Sequence, residues 1–398
     1  MRHHVETAIV IGGGIAGCST AYALAQRGLK VTLFEHHPTI AAEASGNALA
    51  MLYPRLSGDN PLSQFSLAGF WYTLQWLEEL NLPQTDFNAC GLLQLGFNTR
   101  ESARIKKVAR QNIVNVEHVS AHRASELAGI KLDDDALYFA KAGWVKPTAL
   151  CNRLIAHQNI STITLSSVDY ILNHNEFIEV IVDANQSFCA DIAVICNGND
   201  AHLFSQCSHI NTEAVRGQIT LCSATNESQP LKTIVCGEGY LSPAVENMHS
   251  LGATFSKEHT DLEVNQKDHD ANLAMLKTIA RPLQSALLVN GGRAALRCST
   301  PDYYPLVGQL LDATKLLTES IRPNAPTHSL PWLNGMYMNV AHGSRGFTSA
   351  PLCAELLACL ICGEALPMQE TLAGLLNPNR FLLRQKGLKK LSKQIASS

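Results

Sequence analysis

Ala8-Ile9-Val10-Ile11-Gly12-Gly13-Gly14-Ile15-Ala16-Gly17 is the stretch that decides the fold. Its first four residues are apolar without a polar break, the pattern of a strand buried on both faces in a parallel sheet. They run into a G-x-G-x-x-G turn, followed by Ser19–Arg27, a helix-compatible stretch ending at Gly28. A second apolar run, Val31-Thr32-Leu33-Phe34, ends in Glu35, 18 residues after Gly17. The first two glycines permit a tight turn and close approach of a pyrophosphate to backbone N–H groups, and the third lets helix and strand pack closely. The helix dipole favours the anion, and Glu35 is placed to accept from a ribose hydroxyl. A dinucleotide-binding unit is the expectation. The motif alone does not separate FAD from NAD.

Two later segments favour the longer cofactor. Ala193-Val194-Ile195-Cys196-Asn197-Gly198 is another buried strand ending in glycine. Met338-Asn339-Val340-Ala341 leads into His342-Gly343-Ser344-Arg345-Gly346 and an apolar helix from about Pro351. A late return to a glycine-rich strand-to-helix turn suits FAD, whose reduced flavin a helix N-terminus could stabilise. Between these segments, Phe65–Leu80, Glu101–Val114 and Gln266–Pro282 read as helices. Arg216–Leu241, Leu251–Phe255 and Ala286–Arg297 read as strands of a second sheet. The fold class is therefore α/β (α+β overall), with the chain crossing several times between a Rossmann-like part and a second sheet.

Composition narrows the function. The 398 residues are 46% hydrophobic and 16% charged, which excludes disorder, and the net charge of −3 gives no global basic field. No apolar run reaches the roughly 18 to 20 residues that span a bilayer, so no membrane association is expected. Ile15-Ala16-Gly17-Cys18 imitates a lipoprotein cleavage box, but its three preceding glycines make a poor signal core. Twelve cysteines without a framework suit a reducing, cytoplasmic compartment. Cys359 and Cys362 have no second pair to complete a zinc site, and His118 and His122 lack an HExxH pattern. No metal is expected. Positive charge does gather at Arg380, Arg384, Lys386, Lys389, Lys390 and Lys393, in a stretch without an acid. That segment reads either as a solvated terminal helix or as a phosphate contact.

A family resemblance rests on motifs in a fixed order. They are Gly12–Gly17 with Glu35, Ala44-Ser45-Gly46-Asn47, Leu52-Tyr53-Pro54, Gly143-Trp144 with Pro147, and Arg216-Gly217-Gln218. They continue through Gly239-Tyr240-Leu241-Ser242-Pro243, Gly252-Ala253, Arg297 with Asp302, Pro305 and Gly308, and Gly343–Gly346. The chain resembles the D-amino-acid-oxidase/glycine-oxidase superfamily of flavoproteins. More narrowly, through Ser349-Ala350-Pro351-Leu352 and Leu376-Asn377-Pro378-Asn379-Arg380, it is similar to the oxidoreductase half of bifunctional tRNA 5-methylaminomethyl-2-thiouridine biosynthesis proteins. It departs from them at Ala48–Met51, where a Gln-Gly-containing version is the norm, and their methyltransferase half is not expected of this chain.

The resemblance implies a D-amino-acid-oxidase-type fold. Its FAD-binding domain would comprise 1–88, 140–206 and 296–398, interwoven with an antiparallel-sheet substrate domain of 89–139 and 207–295. FAD would contact Gly12, Gly13, Gly14, Ile15, Ala16, Gly17, Glu35, Ala44, Ser45, Gly46, Asn47, Val168, Asn197, Gly198 and Gly308. Gly343, Ser344, Arg345, Gly346, Phe347 and Thr348 would complete that set. The reaction implied is oxidation of the carboxymethylaminomethyl group of a wobble uridine, leaving an aminomethyl-uridine and glyoxylate. A carboxylate handle calls for an arginine fork. Arg297 is the expected clamp, with the Tyr240 hydroxyl beside it; the competing reading pairs Arg297 with Asp302 structurally. His342 is not expected to act as a base. The partners implied are the tRNA anticodon loop and a separate SAM-dependent methyltransferase. Trp144, Tyr303 and Tyr304 are candidates to stack on an extruded base. The rival activities are a glycine, sarcosine or D-amino-acid oxidase, and a non-catalytic subunit binding FAD and tRNA.

Overall fold

A computed structural model describes residues 5–174 and 176–394, so the outermost residues of the 1–88 and 296–398 segments lie outside it. The expected first strand, Thr7–Ile11, sits inside a six-stranded sheet. In spatial order the strands are Leu306–Leu311, Trp332–Val340, Ile192–Ile195, Thr7–Ile11, Lys30–Phe34 and Ile160–Ile163. All pairings are parallel except that of the Leu306–Leu311 edge. Burial on both faces explains the unbroken apolar text. Ala8 and Val10 pack under the helices, while Ile9 and Ile11 face Ile178, Val180 and Val182 of a small three-stranded sheet, Val168–Asn173, Ile178–Val182 and Gln186–Ala190.

The helix after the glycine turn, Ile15–Ala25, buries ten of its eleven residues. It is enclosed by Gly346–Cys362 and Pro147–Ile155, and its many alanines permit that close approach. It begins four residues earlier than its text suggests, directly behind Gly14. The Gly346–Cys362 helix also starts earlier than expected and carries Pro351 inside its first turns. Together with the turn before it, Gly343–Cys362 is long and apolar enough to cross a membrane, contrary to the expectation from apolar runs. Of its most apolar 18 residues 78% are buried against the protein, chiefly on Ile15–Ala25 and Pro61–Leu80, and it serves as a core helix. Pro61–Leu80 extends the expected Phe65–Leu80 helix, because Asn60 caps it by accepting from Ser63 N at 3.0 Å and Pro61 fits its first turn. Cys359 is buried and Cys362 half-buried on their helix, both as free thiols.

The second sheet has eight strands in the order Leu288–Ser299, Glu213–Ser223, Met248–Gly252, Tyr240–Leu241, Ile234–Cys236, Leu92–Leu95, Ala136–Phe139 and Val116–Val119. It is not purely antiparallel. Leu92–Gln94 runs parallel to Ile234–Cys236, the junction between an early and a late segment of the chain. A long excursion through the first sheet separates these strands, so no hairpin forces them to run in opposite directions.

The basic C-terminal stretch is no solvated helix. Leu382, Leu383, Leu388 and Leu391 pack against Leu311, Leu316 and Leu330. Arg380 is fully buried and gives Asp302 two hydrogen bonds, Nε to Oδ2 at 2.9 Å and Nη2 to Oδ1 at 2.6 Å. Arg380 therefore cannot meet a phosphate, and removing the segment would remove core. Only Lys386, Lys389, Lys390 and Lys393 of the expected cluster stand exposed.

Candidate active site

Three neighbouring parallel strands end together, and the residues just beyond them are Gly12, Cys196-Asn197-Gly198 and Ala341-His342-Gly343. Ligands of open parallel sheets bind at this carboxyl edge. A cleft of about 470 Å³, a volume usual for cofactor sites, lies there between Gly12–Ala16 and the residues Tyr240 and Arg297 of the second sheet. Gly12 has φ +105°, and a Cβ on it would come within 2.8 Å of Asn197 Cα. A Cβ on Gly17 would stand 1.8 Å from Gly12 O, which is the close helix–strand packing expected of the third glycine.

Glu35 is buried at the end of its strand. Its Oε2 accepts from Gly13 N at 2.7 Å and its Oε1 from His37 N at 2.8 Å, which fixes the carboxylate while it borders the cleft. The same turn brings possible ligand atoms of Glu35, His36 and His37 within 4.8 Å of one another, but the carboxylate is already committed to the backbone. The helix behind Gly14 has no side-chain cap of its own and no acid in its first turn. Only Ser45 Oγ, from the Ala44–Asn47 loop, accepts from Ile15 N, at 3.0 Å. This open positive helix end faces the cleft and suits a pyrophosphate. Asn197 Oδ1 also borders the cleft, buried and without a partner among the described residues, and awaits a donor. A dinucleotide cofactor fits this donor and acceptor set.

Sequence reading missed the residue that holds the loop. Arg293 reaches from Leu288–Ser299 to the Ala42 and Glu43 carbonyls and to Asn47 Oδ1 at 3.4 Å. Its signal was a lone charge after Gly291-Gly292 in a strand, but its target lies some 250 residues away.

At the other end of the cleft, Arg297 forms no ion pair among the described residues. Asp302, the partner of the competing reading, belongs to Arg380. Among the described residues Arg297 donates only to Thr254 O, from Nη1 at 3.3 Å, and its guanidinium carbon lies 4.4 Å from the centre of the Phe255 ring. Burial pulls its pKa below the usual arginine range. The side chain crosses the neighbouring strand over Gly217, where a Cβ would be 1.8 Å from Nη1. That accounts for the glycine of Arg216-Gly217-Gln218. Arg216 itself turns to the opposite face and pairs with Asp268. Tyr240 also borders the cleft, and its hydroxyl lies 3.3 Å from Ser250 Oγ. Burial raises its pKa against a weaker lowering by Ser250 and Arg297, so it remains a neutral phenol. A partly desolvated cation without a counter-ion among the described residues, next to a phenol, has the chemistry to pair with an anion such as a carboxylate.

The last glycine turn is held by a buried polar chain. Asn339 Nδ2 donates to Thr20 Oγ1 at 3.0 Å, leaving Asn339 Oδ1 to face His342 Nε2 at 2.9 Å; Ser349 Oγ lies 2.9 Å from His342 Nδ1. The neutral ring donates from Nε2 and accepts at Nδ1, so neither nitrogen is free to act as a base. Burial lowers its pKa from 6.5 to about 3. A depressed histidine contributes stability that is fully present above pH 6.5 and is lost as pH falls toward 3, at up to roughly 1.4 kcal/mol per unit. Urea midpoints measured from pH 7 to 4 should therefore fall more steeply for the wild type than for His342→Gln. Equal slopes would remove His342 from the acid limb.

The remaining expected residues divide into two groups. Ile15, Ala16, Ala44, Ser45, Asn47, Gly198, Gly343, Ser344, Arg345, Gly346 and Phe347 border the cleft. Gly46 lies behind it against Arg293, and the Thr348 carbonyl accepts from Thr73 Oγ1 at 3.1 Å. Val168 opens the small three-stranded sheet, and Gly308 lies within the edge strand opposite Met338; neither borders the cleft. Trp144 is buried between two short strands and cannot stack on an extruded base, whereas Tyr303 is 74% exposed and Tyr304 half-buried.

The chain matches the family profile DAO, FAD dependent oxidoreductase, over residues 7–360. It is 42% identical over 395 residues to the tRNA 5-methylaminomethyl-2-thiouridine biosynthesis bifunctional protein MnmC of Methylobacillus flagellatus, covering 98% of this chain and 61% of that protein. It is 40% identical to the protein of the same name from Pseudomonas syringae pv. tomato, covering 95% and 59%. The chain thus spans about 60% of the length of these curated relatives. Among solved structures, glycine oxidase from Geobacillus kaustophilus superimposes with a TM-score of 0.77 at 19% identity, covering 94% of this chain and 98% of that one. L-proline dehydrogenase from P. horikoshii gives 0.76 at 19% identity, covering 96% and 99%. These likenesses establish the expected fold, and the profile establishes FAD as the dinucleotide. A Rossmann-like sheet with a cleft at its carboxyl edge, a second sheet facing that cleft and a profile matched over nearly the whole chain place this protein in the DAO family of FAD-dependent oxidoreductases.

Proposed function

We propose that the chain oxidises the carboxymethylaminomethyl group of a tRNA wobble uridine, with or without 2-thio, to an aminomethyl group and glyoxylate. The observation that carries this reading is Arg297, a half-buried guanidinium without a counter-ion among the described residues at the substrate end of the cleft. The relatives' shared name points the carboxylate it would take toward a modified uridine rather than a free amino acid. Bound FAD supplies the acceptor for the hydride leaving the glycine-like carbon, and water releases glyoxylate from the resulting imine. The chain's own residues orient and stabilise. Arg297 forks the carboxylate, and the Tyr240 hydroxyl donates to it. The N-terminus of Ile15–Ala25, Glu35 and the Ala44–Asn47 loop would hold the ADP portion of FAD, and the turn Gly343–Phe347 would hold the flavin.

The sheet memberships support a division into FAD-binding segments 1–88, 140–206 and 296–398 and substrate segments 89–139 and 207–295, with Leu288–Ser299 running across the last boundary. The freed amine is the group a separate SAM-dependent methyltransferase would methylate, and work on tRNA puts the chain in the cytoplasm. Tyr303 and the exposed tail lysines are the remaining candidates for RNA contact.

Anaerobic mixing of the holoprotein with modified tRNA, and separately with glycine and sarcosine, tests the reading. Flavin absorbance should bleach with the tRNA at far lower concentration. Bleaching by glycine or sarcosine alone would make the protein a small-molecule amine oxidase. No bleaching by any of them would leave a subunit that binds FAD without using it.

A further inference from the structure

The substrate end of the cleft carries more positive charge than a single carboxylate needs. Four arginines besides Arg297 border it or hold its walls, and they are not equally occupied. Arg104 is neutralised by Glu101 at 2.6 Å and also donates to Leu56 O at 2.7 Å. Arg293 is spent on the loop carbonyls. Arg55 and Arg345 make no ion pair with any described residue, although both border the cleft. Arg345 lies with its guanidinium carbon 5.0 Å from the centre of the Tyr53 ring, and its Nη1 is buried without an acceptor among the described residues. Arg55 follows Tyr53 by two residues. It is exposed at the rim of the cleft, and partial desolvation first, then Arg345, lowers its pKa against an opposing effect of Tyr53. The acids nearby do not neutralise it: Glu101 is taken by Arg104, and Glu238, on the turn before Tyr240, makes no ion pair with a described residue.

We propose that Arg55 and Arg345 form a second anion clamp, which takes a phosphodiester of the nucleotide whose base carries the reacting group. This rests on the tRNA reading above and assigns it a recognition element. The substrate's carboxylate belongs to Arg297 and Tyr240, so a second anion must come from elsewhere in the same molecule. The pyrophosphate of FAD has its own site at Gly12–Ala16, on the other sheet. Arg104 instead ties the Arg55 segment to the substrate sheet, donating from Nη1 to Leu56 O at 2.7 Å and to Gln94 Oε1 at 3.2 Å, and Gln94 is registered beside Cys236, which in turn pairs with Tyr240. A base brought out of its loop presents its flanking phosphate at the mouth of the pocket, where phosphate contacts fix register. Two guanidinia that repel each other in the free protein are relieved by one bridging phosphate. That makes the phosphate a requirement for tight binding, and it separates a nucleotide substrate from free glycine.

The test uses the FAD-loaded full chain with 5-carboxymethylaminomethyluridine as the nucleoside and as its 3′,5′-bisphosphate, reading anaerobic flavin reduction. Binding of unmodified uridine 3′,5′-bisphosphate is read separately from the flavin spectrum. The wild type should prefer the bisphosphate, and Arg55→Gln should cut that preference about tenfold or more, the worth of one charge-assisted hydrogen bond. Arg55→Gln should weaken uridine bisphosphate binding by a similar factor, and Arg55→Lys should restore part of it. Equal use of the two probes by the wild type, or an unchanged preference in Arg55→Gln, overturns the clamp while leaving the uridine reading in place. Loss of FAD from Arg55→Gln overturns it by moving Arg55 to the cofactor. Failure of both probes to reduce the wild-type flavin overturns the uridine reading and the clamp with it.

Discussion

Gly14→Val is expected to fold and to purify colourless. Gly14 has φ −74° and ψ −179°, a conformation valine adopts without strain, and a Cβ there would meet nothing in the protein nearer than Ser45 Oγ at 3.2 Å. The added methyls would point into the space before the helix N-terminus, where the pyrophosphate belongs. Its neighbours differ: a side chain at Gly12 or Gly17 runs into backbone at 2.8 Å and 1.8 Å, so those substitutions attack the fold itself. The ratio of flavin to protein absorbance, with circular dichroism as the control, checks the prediction. Wild-type flavin content in Gly14→Val would mean that the cofactor lies elsewhere.

The second large effect is on turnover. Arg297→Lys should fold, retain FAD and lose roughly 10- to 150-fold in kcat/KM for modified tRNA, the equivalent of about 1.5 to 3 kcal/mol for a charge-assisted hydrogen bond. Lysine keeps a charge but not the planar fork, and in a half-buried position it sheds its proton more readily than arginine. No internal carboxylate depends on Arg297, and Thr254 O at 3.3 Å is its one hydrogen-bond acceptor among the described residues, so the fold has little to lose. The loss should fall on substrate-driven flavin reduction and spare reoxidation. Reduction at the wild-type rate, or failure to fold, would return Arg297 to a structural role.

What the sequence disclosed was what local periodicity can carry. The strand, glycine turn, helix and Glu35 lie within 35 residues, and each step changes the hydrophobic period in a way that can be read directly. Arg297 was legible for a different reason: a charge ending an apolar strand demands a partner. Which partner was not legible, because Arg380 claims Asp302 from 78 residues away. The same limit hid the anchoring of the Ala44–Asn47 loop by Arg293 and the burial of Trp144, since neither charge nor aromaticity states which side of a packed surface a residue will take. The C-terminal basic run misled because its lysines and arginines were counted without the leucines between them. Those leucines carry the packing, and they turn an apparent tail into part of the core. The parallel junction in the second sheet was beyond reach for a topological reason, as the two strands meet only after the chain has traversed the other sheet.

The most direct measurement follows the nucleoside itself. tRNA bearing 5-carboxymethylaminomethyl-uridine is incubated with the FAD-loaded protein, digested and analysed by mass spectrometry, with glyoxylate assayed in the same sample. The account predicts conversion to the 5-aminomethyl nucleoside with one glyoxylate released per uridine converted, and neither product from Arg297→Lys at short times. An unaltered wobble nucleoside, alongside a flavin that free glycine or sarcosine readily reduces, would contradict it.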